Sequence, residues 1–115
     1  MKRGTKRKFG REFVQRKALL RSLATALIER GKIRTTKAKA KTLKQLADKF
    51  VSRARTPGLH SHRLLTQQLG TIAVKKLMSD IAPRFTDRSG GYTRIIPMPR
   101  RRSDGAEMAL VEFVA

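Results

Sequence analysis

The stretch Ala82-Pro83-Arg84-Phe85-Thr86-Asp87-Arg88-Ser89-Gly90-Gly91-Tyr92-Thr93-Arg94-Ile95-Ile96 marks the point where the chain changes from helical to strand-like periodicity. Pro83 is excluded from a helix interior because it lacks an N–H group and its ring clashes with the preceding turn. Gly90-Gly91 permits positive φ angles, and the β-branched and aromatic residues that follow are typical of a strand. Three cations would then lie beside a strand edge and could hold an anion: Arg84, Arg88 and Arg94.

Apolar residues recur at helical spacing in the part of the chain that precedes this turn. Four helices are predicted, over residues 9 or 10–30, 37–55, 61–69 and 72–81. Gly31 is a natural stop for the first helix, Thr36 is the expected N-cap of the second, and Thr71 that of the fourth.

The alternation of apolar and polar residues predicts three strands, over residues 32–36, 92–98 and 107–114. The last two form an antiparallel hairpin across the basic loop Arg100–Gly105, and the final strand is central because both of its faces are apolar. We therefore predict an α+β fold with about four helices packed on a small mixed or antiparallel sheet of about three strands. Residues 1–8 form a basic, extended N-terminal arm, and residues 9–115 form a single domain that binds RNA.

The net charge of the chain indicates which class of molecule it binds. The chain has 115 residues, 28 of them Lys or Arg and 8 of them Asp or Glu, which leaves a net charge of +20. A small domain this basic repels itself unless a polyanion neutralises it, and nucleic acid is the leading candidate. A membrane surface is a weaker one, since no apolar run approaches the roughly 20 residues that span a bilayer. We expect a soluble intracellular protein.

Two basic segments are candidate nucleic-acid contacts, and each has a simpler reading. Residues 1–8 carry five cations and are either a nucleic-acid arm or a solubilising tail. The second predicted helix begins with lysines, at the end where the helix dipole favours acids, so a bound anion would relieve the cost. The rival reading is a solvated lysine face.

Catalytic and metal-binding signatures are missing from the sequence. The eight acids are scattered, whereas a two-metal nuclease needs clustered carboxylates. There is no cysteine, and the pair His60 and His62 has no nearby further ligand, so no metal site is expected. We predict no enzyme activity and no cofactor. The few aromatic residues disfavour single-strand recognition and favour folded, paired RNA, with Tyr92 either stacking on a base or packing in the core.

Three motifs resemble those of the L-seventeen family of bacterial large-subunit ribosomal proteins. They are the run 82–95, the segment Gly31-Lys32-Ile33-Arg34-Thr35-Thr36-x-x-Lys39-Ala40-Lys41, and Gly105-Ala106-x-Met108-Ala109-Leu110-Val111-Glu112. The resemblance covers nearly the whole chain. It implies a structural constituent of the ribosome, bound to large-subunit rRNA near the peptide exit region and beside neighbouring ribosomal proteins. It implies a cytoplasmic, ribosome-bound location, and no homo-oligomer is expected there.

The hypotheses left open are a DNA-architectural protein with the same charge and an RNA-processing enzyme. In the leading hypothesis, a structural ribosomal protein, the chain binds rRNA through three regions. These are the N-terminal arm, the start of the second helix and the Gly-Gly-Tyr-Thr-Arg turn. The residues predicted to contact RNA are Lys2, Arg3, Lys6, Arg7, Lys8, Arg11, Arg16, Lys32, Arg34, Thr35, Lys37, Lys39, Lys41, Lys44, Arg84, Arg88, Tyr92, Arg94, Arg100, Arg101 and Arg102.

Overall fold

The chain forms four helices and a three-stranded sheet. One strand lies between the first two helices, and the other two strands follow the last helix. The computed structural model describes residues 13–56, 58–88 and 90–114. The helices are α1 (Phe13–Arg30), α2 (Lys37–Arg55), α3 (Leu59–Leu69) and α4 (Thr71–Lys76), and the strands are β1 (Lys32–Thr36), β2 (Thr93–Met98) and β3 (Met108–Phe113). Helix α4 continues through a π-helical turn, Leu77–Ile81, into a 3-10 turn, Ala82–Phe85. The predicted α+β class and the number of helices and strands are confirmed.

The sheet is antiparallel and has the order β1-β3-β2. The last strand is therefore central, as its two apolar faces predicted. Ile33 and Ile95 both pair in register with Val111, from opposite sides of β3. Pro97 lies in β2, at the edge of the sheet, which is the position where strands tolerate a residue without an N–H group.

The buried apolar residues of helices and sheet form one cluster. Helix α2 contributes its buried face, including Leu43 and Phe50, and contacts all three strands. Val111 of the central strand is fully buried beneath it, and burying such a side chain contributes about 1.5–3 kcal/mol. The core thus lies between α2 and the inner face of the sheet, which fixes the orientation of α2 relative to every strand.

Helix α2 begins and ends at the residues that the sequence indicated. Thr36 has an extended conformation, and its hydroxyl accepts a hydrogen bond from the Lys39 backbone N–H at 3.4 Å. The helix before it, α1, ends at Arg30, and Gly31 follows with φ +85°. The chain therefore turns from α1 into β1 and directly from β1 into α2.

One prediction about the segment before the central turn is wrong. Gly70, not Thr71, is the N-cap of α4, and no side chain caps this helix. Pro83 lies in the first turn of the 3-10 segment, where no intrahelical N–H bond is needed, which agrees with its predicted exclusion from a helix interior. The turn before it is a π-helix, with the Ala82 N–H bonded to the Leu77 carbonyl.

Candidate nucleic-acid interface

Six of the predicted RNA contacts lie outside the described residues. They are Lys2, Arg3, Lys6, Arg7, Lys8 and Arg11. The predicted start of the first helix at residue 9 or 10 lies outside them as well, and α1 is described from Phe13. Within α1, the predicted contact Arg16 is half-buried and interacts with other groups of the protein.

The first turns of α2 carry three lysines whose ammonium groups have no partner among the described residues. Lys37 and Lys41 are exposed and Lys39 is half-buried. We call these three residues the α2-start surface. The first turn of α2 contains no acid, so the cations add to the positive end of the helix dipole. This arrangement costs stability in the free protein, and an anion placed there would offset the cost.

Strand β1 extends this positive charge onto the sheet. Lys32 and Arg34 are exposed and alternate with the buried Ile33 and Thr35. Neither cationic side chain has an ion-pair partner in residues 13–114 as far as these are described. Because β1 runs into α2, its two outward cations lie on the same continuous stretch of chain as the α2-start surface.

The hairpin loop between β2 and β3 lies beside the start of α2. The Lys37 N–H donates to the Glu107 carbonyl at 2.9 Å, and an open cleft of about 300 Å³ lies between Lys37, Lys41 and Glu107. The structure therefore brings the start of α2 beside the end of the loop that carries the predicted arginines, although the two are more than 60 residues apart in sequence.

Arg100, Arg101 and Arg102 of this loop differ in whether their guanidinium groups already have partners within the protein. Arg101 makes a bidentate contact with Asp104, with Nε and Nη2 donating at 3.0 and 2.9 Å. This contact, with the Ala106 N–H, lowers the pKa of Asp104 from 3.8 to about 2. Arg100 donates to the Gly105 carbonyl at 2.8 Å and lies 3.6 Å from Glu107. Arg102 is exposed, and of the three it alone lacks a partner in the described part of the chain.

Lys44 is committed to an internal network. Its ammonium donates to the Thr93 carbonyl at 2.7 Å and to Asp48 Oδ2 at 3.2 Å. The Thr93 hydroxyl in turn donates to Asp48 Oδ1 at 3.0 Å. These contacts join the middle of α2 to the start of β2, so Lys44 is not a free cation like the three lysines before it.

All three arginines of the central turn have partners within the protein. Arg84 pairs with Asp80 at 3.0 Å, and Arg94 pairs with Glu112 at 2.6 Å. Arg88 donates through Nη1 to the Gly91 carbonyl at 3.0 Å. The side chains of Arg84 and Arg94 are nevertheless 39% and 57% exposed, so both remain accessible from solvent. The turn still carries positive charge, but Asp80 and Glu112 neutralise part of the charge that its three arginines contribute.

Two predicted contacts are corrected by their burial. Tyr92 is 1% exposed, and its ring packs edge-on against Phe85 with centroids 5.2 Å apart. The alternative left open for Tyr92 is thus decided in favour of the core, because a buried ring cannot stack on a base. Thr35 is 8% exposed and faces the helices from β1, so its hydroxyl is also withdrawn from the set of contacts.

Sequence reasoning missed the side chain that holds the central turn. Arg55, in the last turn of α2, donates to the carbonyls of Thr86 and Arg88 and to the hydroxyl of Tyr92. The distances are 3.2 Å to the Thr86 oxygen and 2.6 Å to the Tyr92 hydroxyl. Arg55 is one of many cations in the sequence, and only the approach of Thr86, Arg88 and Tyr92 to the end of α2 distinguishes it.

The described residues contain no group of three or more side chains that could hold a metal ion, and His60 and His62 lie in the first turn of α3. Among the same residues, no helix combines the length and apolar character needed to cross a membrane.

The fold and its outward cations define a small, basic α+β protein with a positively charged surface around the start of α2. The family model described as "Ribosomal protein L17" matches residues 19–114. A protein of Campylobacter lari named "Large ribosomal subunit protein bL17" is 48% identical over 95% of this chain and 94% of its own length. Proteins of the same name from Halalkalibacterium halodurans and Nautilia profundicola are each 45% identical, over 93% and 94% of this chain and 97% and 93% of their own lengths.

The chain therefore belongs to the ribosomal protein L17 family, as its three motifs indicated. Members of this family are structural constituents of the ribosome, and the prediction that the chain is not an enzyme is confirmed by its membership.

Proposed function

We propose that this protein binds large-subunit rRNA and that its principal described contact is the α2-start surface together with the outward cations of β1. The relatives that match the chain are named as proteins of the large ribosomal subunit, which makes rRNA the polyanion in its surroundings. The central turn and Arg102 would add further contacts, as would the basic residues 1–8.

One observation carries the proposal. Five cations in a span of ten residues, 32–41, have no intramolecular partner among the described residues, and the span contains no acid. They are Lys32, Arg34, Lys37, Lys39 and Lys41. Two acids lie nearby, Glu107 in the cleft beside Lys37 and Lys41 and Glu112 in register with Lys32. Their ion pairs go to Arg100 and Arg94, which lie outside the span. The surface therefore keeps an excess of positive charge that an external anion can neutralise.

The spacing of the positive surfaces favours a long polyanion over a single phosphate. Helix α2 spans 19 residues from the α2-start surface to Arg55 at the central turn, and at 1.5 Å per residue this separates its ends by about 27 Å. An RNA helix presents phosphates along such a distance. With Tyr92 buried, the described surface has no aromatic side chain at the turn for base stacking, which favours recognition of paired RNA through backbone and shape.

The resemblance further supports a place near the peptide exit region, beside neighbouring ribosomal proteins, in the cytoplasm. Residues 1–8 would act there as an extended arm that reaches phosphates between RNA helices. Within this proposal the chain acts as one copy, without a homo-oligomer, and residues 9–115 act as one RNA-binding domain.

The salt dependence of binding tests the proposal. The affinity of the full chain for large-subunit rRNA fragments should fall steeply with salt, because each neutralised phosphate contributes about −0.9 to the logarithmic slope, so that six contacts give about −5. Replacing Lys37, Lys39 and Lys41 by Met should reduce the slope by about 2–3. The matched control replaces Lys49, Arg53 and Lys75 by Met, because their side chains are exposed and have no partner in the described chain.

Three outcomes separate the readings. A slope near −1 for the parent protein would show that its charge is mostly a solvated surface. Equal losses for the two triple variants would remove the special role of the α2-start surface. Competition with duplex DNA of equal length distinguishes the DNA-architectural alternative, which requires DNA to displace the rRNA fragment.

A further inference from the structure

Arg55 lies where the end of α2 meets the central turn. Its guanidinium donates to two backbone carbonyls, those of Thr86 and Arg88, and to the Tyr92 hydroxyl. A guanidinium presents several N–H groups in a fixed planar fork, so a single side chain can hold groups that come from both sides of a turn. Its acceptors thus lie before and after the Gly90-Gly91 pair.

A few other hydrogen bonds restrain the turn. The Arg88 N–H donates to the Phe85 carbonyl at 3.0 Å, and Arg88 Nη1 donates to the Gly91 carbonyl at 3.0 Å. The Tyr92 hydroxyl donates to the Arg88 carbonyl at 3.4 Å, and the Tyr92 carbonyl accepts from the Val114 N–H at 3.0 Å. Residues 86–88 and 90–91 are exposed, and Gly91 has φ +63°. With so little packing, the path of this segment depends on hydrogen bonds, and three of those bonds come from Arg55.

Tyr92 connects this arrangement to the core. Its hydroxyl lies 2.6 Å from Arg55 Nη1, while its buried ring contacts Phe85. The Arg55 guanidinium carbon lies 5.7 Å from the centre of the same ring, within the range of a cation–π contact. Arg55 is therefore held in place by the packed rings of Phe85 and Tyr92. The turn is itself held by its hydrogen bonds to Arg55.

We propose that Arg55 is a positioning residue for RNA recognition: it holds residues 86–88 and Tyr92 in place and so orders Arg88 before RNA arrives. This inference rests on the proposed RNA-binding function and deepens it at the central turn. The turn would otherwise lose conformational freedom on binding, which reduces affinity. The Arg55 guanidinium donates to groups of the protein itself. It therefore affects RNA affinity indirectly, through the conformation of the turn.

The test compares two cations of the same helix. Arg55→Met keeps the apolar stem and removes every donor, whereas Arg53→Met removes the same charge from an exposed side chain that has no partner among the described residues. Amide hydrogen exchange of residues 84–92 and affinity for a large-subunit rRNA fragment are measured on both variants. We expect faster exchange in the turn and an affinity about five- to tenfold lower for Arg55→Met than for Arg53→Met.

Arg55→Lys provides the rescue, and it also serves if Arg55→Met does not fold. A lysine keeps the charge and can donate to some of the same acceptors, so it should restore part of both the exchange protection and the affinity.

The other outcomes overturn either the inference about Arg55 alone or the proposed RNA-binding function. Equal affinities for Arg55→Met and Arg53→Met overturn the inference alone. A larger loss for Arg55→Met with unchanged exchange in the turn also overturns it, because Arg55 would then contact RNA directly. If the parent protein does not bind the fragment, the proposed function fails, and this inference fails with it.

Discussion

Arg94 and Glu112 are direct partners across β2 and β3, and Arg94 Nε donates to Glu112 Oε2 at 2.7 Å. On the other side of β3, Lys32 of β1 is in register with the same Glu112. The row across the sheet is therefore cation, anion, cation, with one carboxylate between two positive side chains. The row keeps a net positive charge, and it connects the β1 cations to the strand that follows the central turn.

Arg94→Ala should leave the fold intact and weaken RNA binding. The Arg94 side chain is 57% exposed, and exposed ion pairs contribute about 0–1 kcal/mol to the free energy of unfolding. Circular dichroism melts and RNA titrations on the same preparation measure the two effects. Lys32→Ala is the matched control for the melting temperature, since it removes a cation from the same row and leaves the Arg94–Glu112 pair in place. A large fall in melting temperature for Arg94→Ala would show that the pair is structural.

Gly91→Val should destabilise the protein, whereas Gly90→Val should not. Gly91 has φ +63°, and no atom lies within 4 Å of a Cβ built on either glycine, so the difference comes from backbone conformation and not from space. A left-handed conformation costs an ordinary residue about 1–2 kcal/mol, and a β-branched one more. Thermal melts of the two variants give the difference. If both melt at the same temperature, positive φ is not what this turn requires of Gly91.

Lys39→Glu should stabilise the free protein while it weakens RNA binding. Residue 39 is the third residue of α2, where an acid interacts favourably with the helix dipole, by about 0.3–1 kcal/mol at low ionic strength. The same change places a negative charge on the α2-start surface. Lys49→Glu, in the second half of α2, should bring no such gain in stability. A gain in stability without a loss of RNA affinity would exclude Lys39 from the interface.

Asp104 should titrate with a pKa of about 2, below its ordinary value of 3.8, because Arg101 donates two hydrogen bonds to its carboxylate. The folded-state pKa is lowered, so the stabilisation from this pair is present above about pH 4 and disappears as the pH falls toward 2. Carboxyl carbon chemical shifts followed by NMR measure the midpoint. Arg101→Met should raise it toward 3.8, whereas Arg102→Met, at the adjacent arginine, should leave it unchanged.

Local signals were sufficient for the bounds of α2 and β1 and for the order of the elements. The apolar stripe that includes Leu43 and Phe50 has the period of a helix, and Thr36 supplies a cap whose preference is local. The end of α4 could not be predicted in the same way. Pro83 removes one N–H, but whether the preceding turn stops or widens to a π-helix depends on whether Leu77 and Ile81 stay buried, which is a property of the core.

The amino-acid sequence by itself determined the family, the α+β class and the excess of positive charge, because motifs, periodicity and composition are properties of the chain alone. Only the tertiary structure decided which cations are free. Lys44, Arg55 and Arg88 are as basic in sequence as Lys37 and Lys41, but the fold brings a carboxylate, carbonyls or a hydroxyl within hydrogen-bonding distance of the first three. Tyr92 is buried for the same reason, since Phe85 packs on its ring and Arg55 reaches its hydroxyl from the distant end of α2. A side chain's availability to RNA depends on which groups the packing of α2 against the sheet places beside it, and this information is not local.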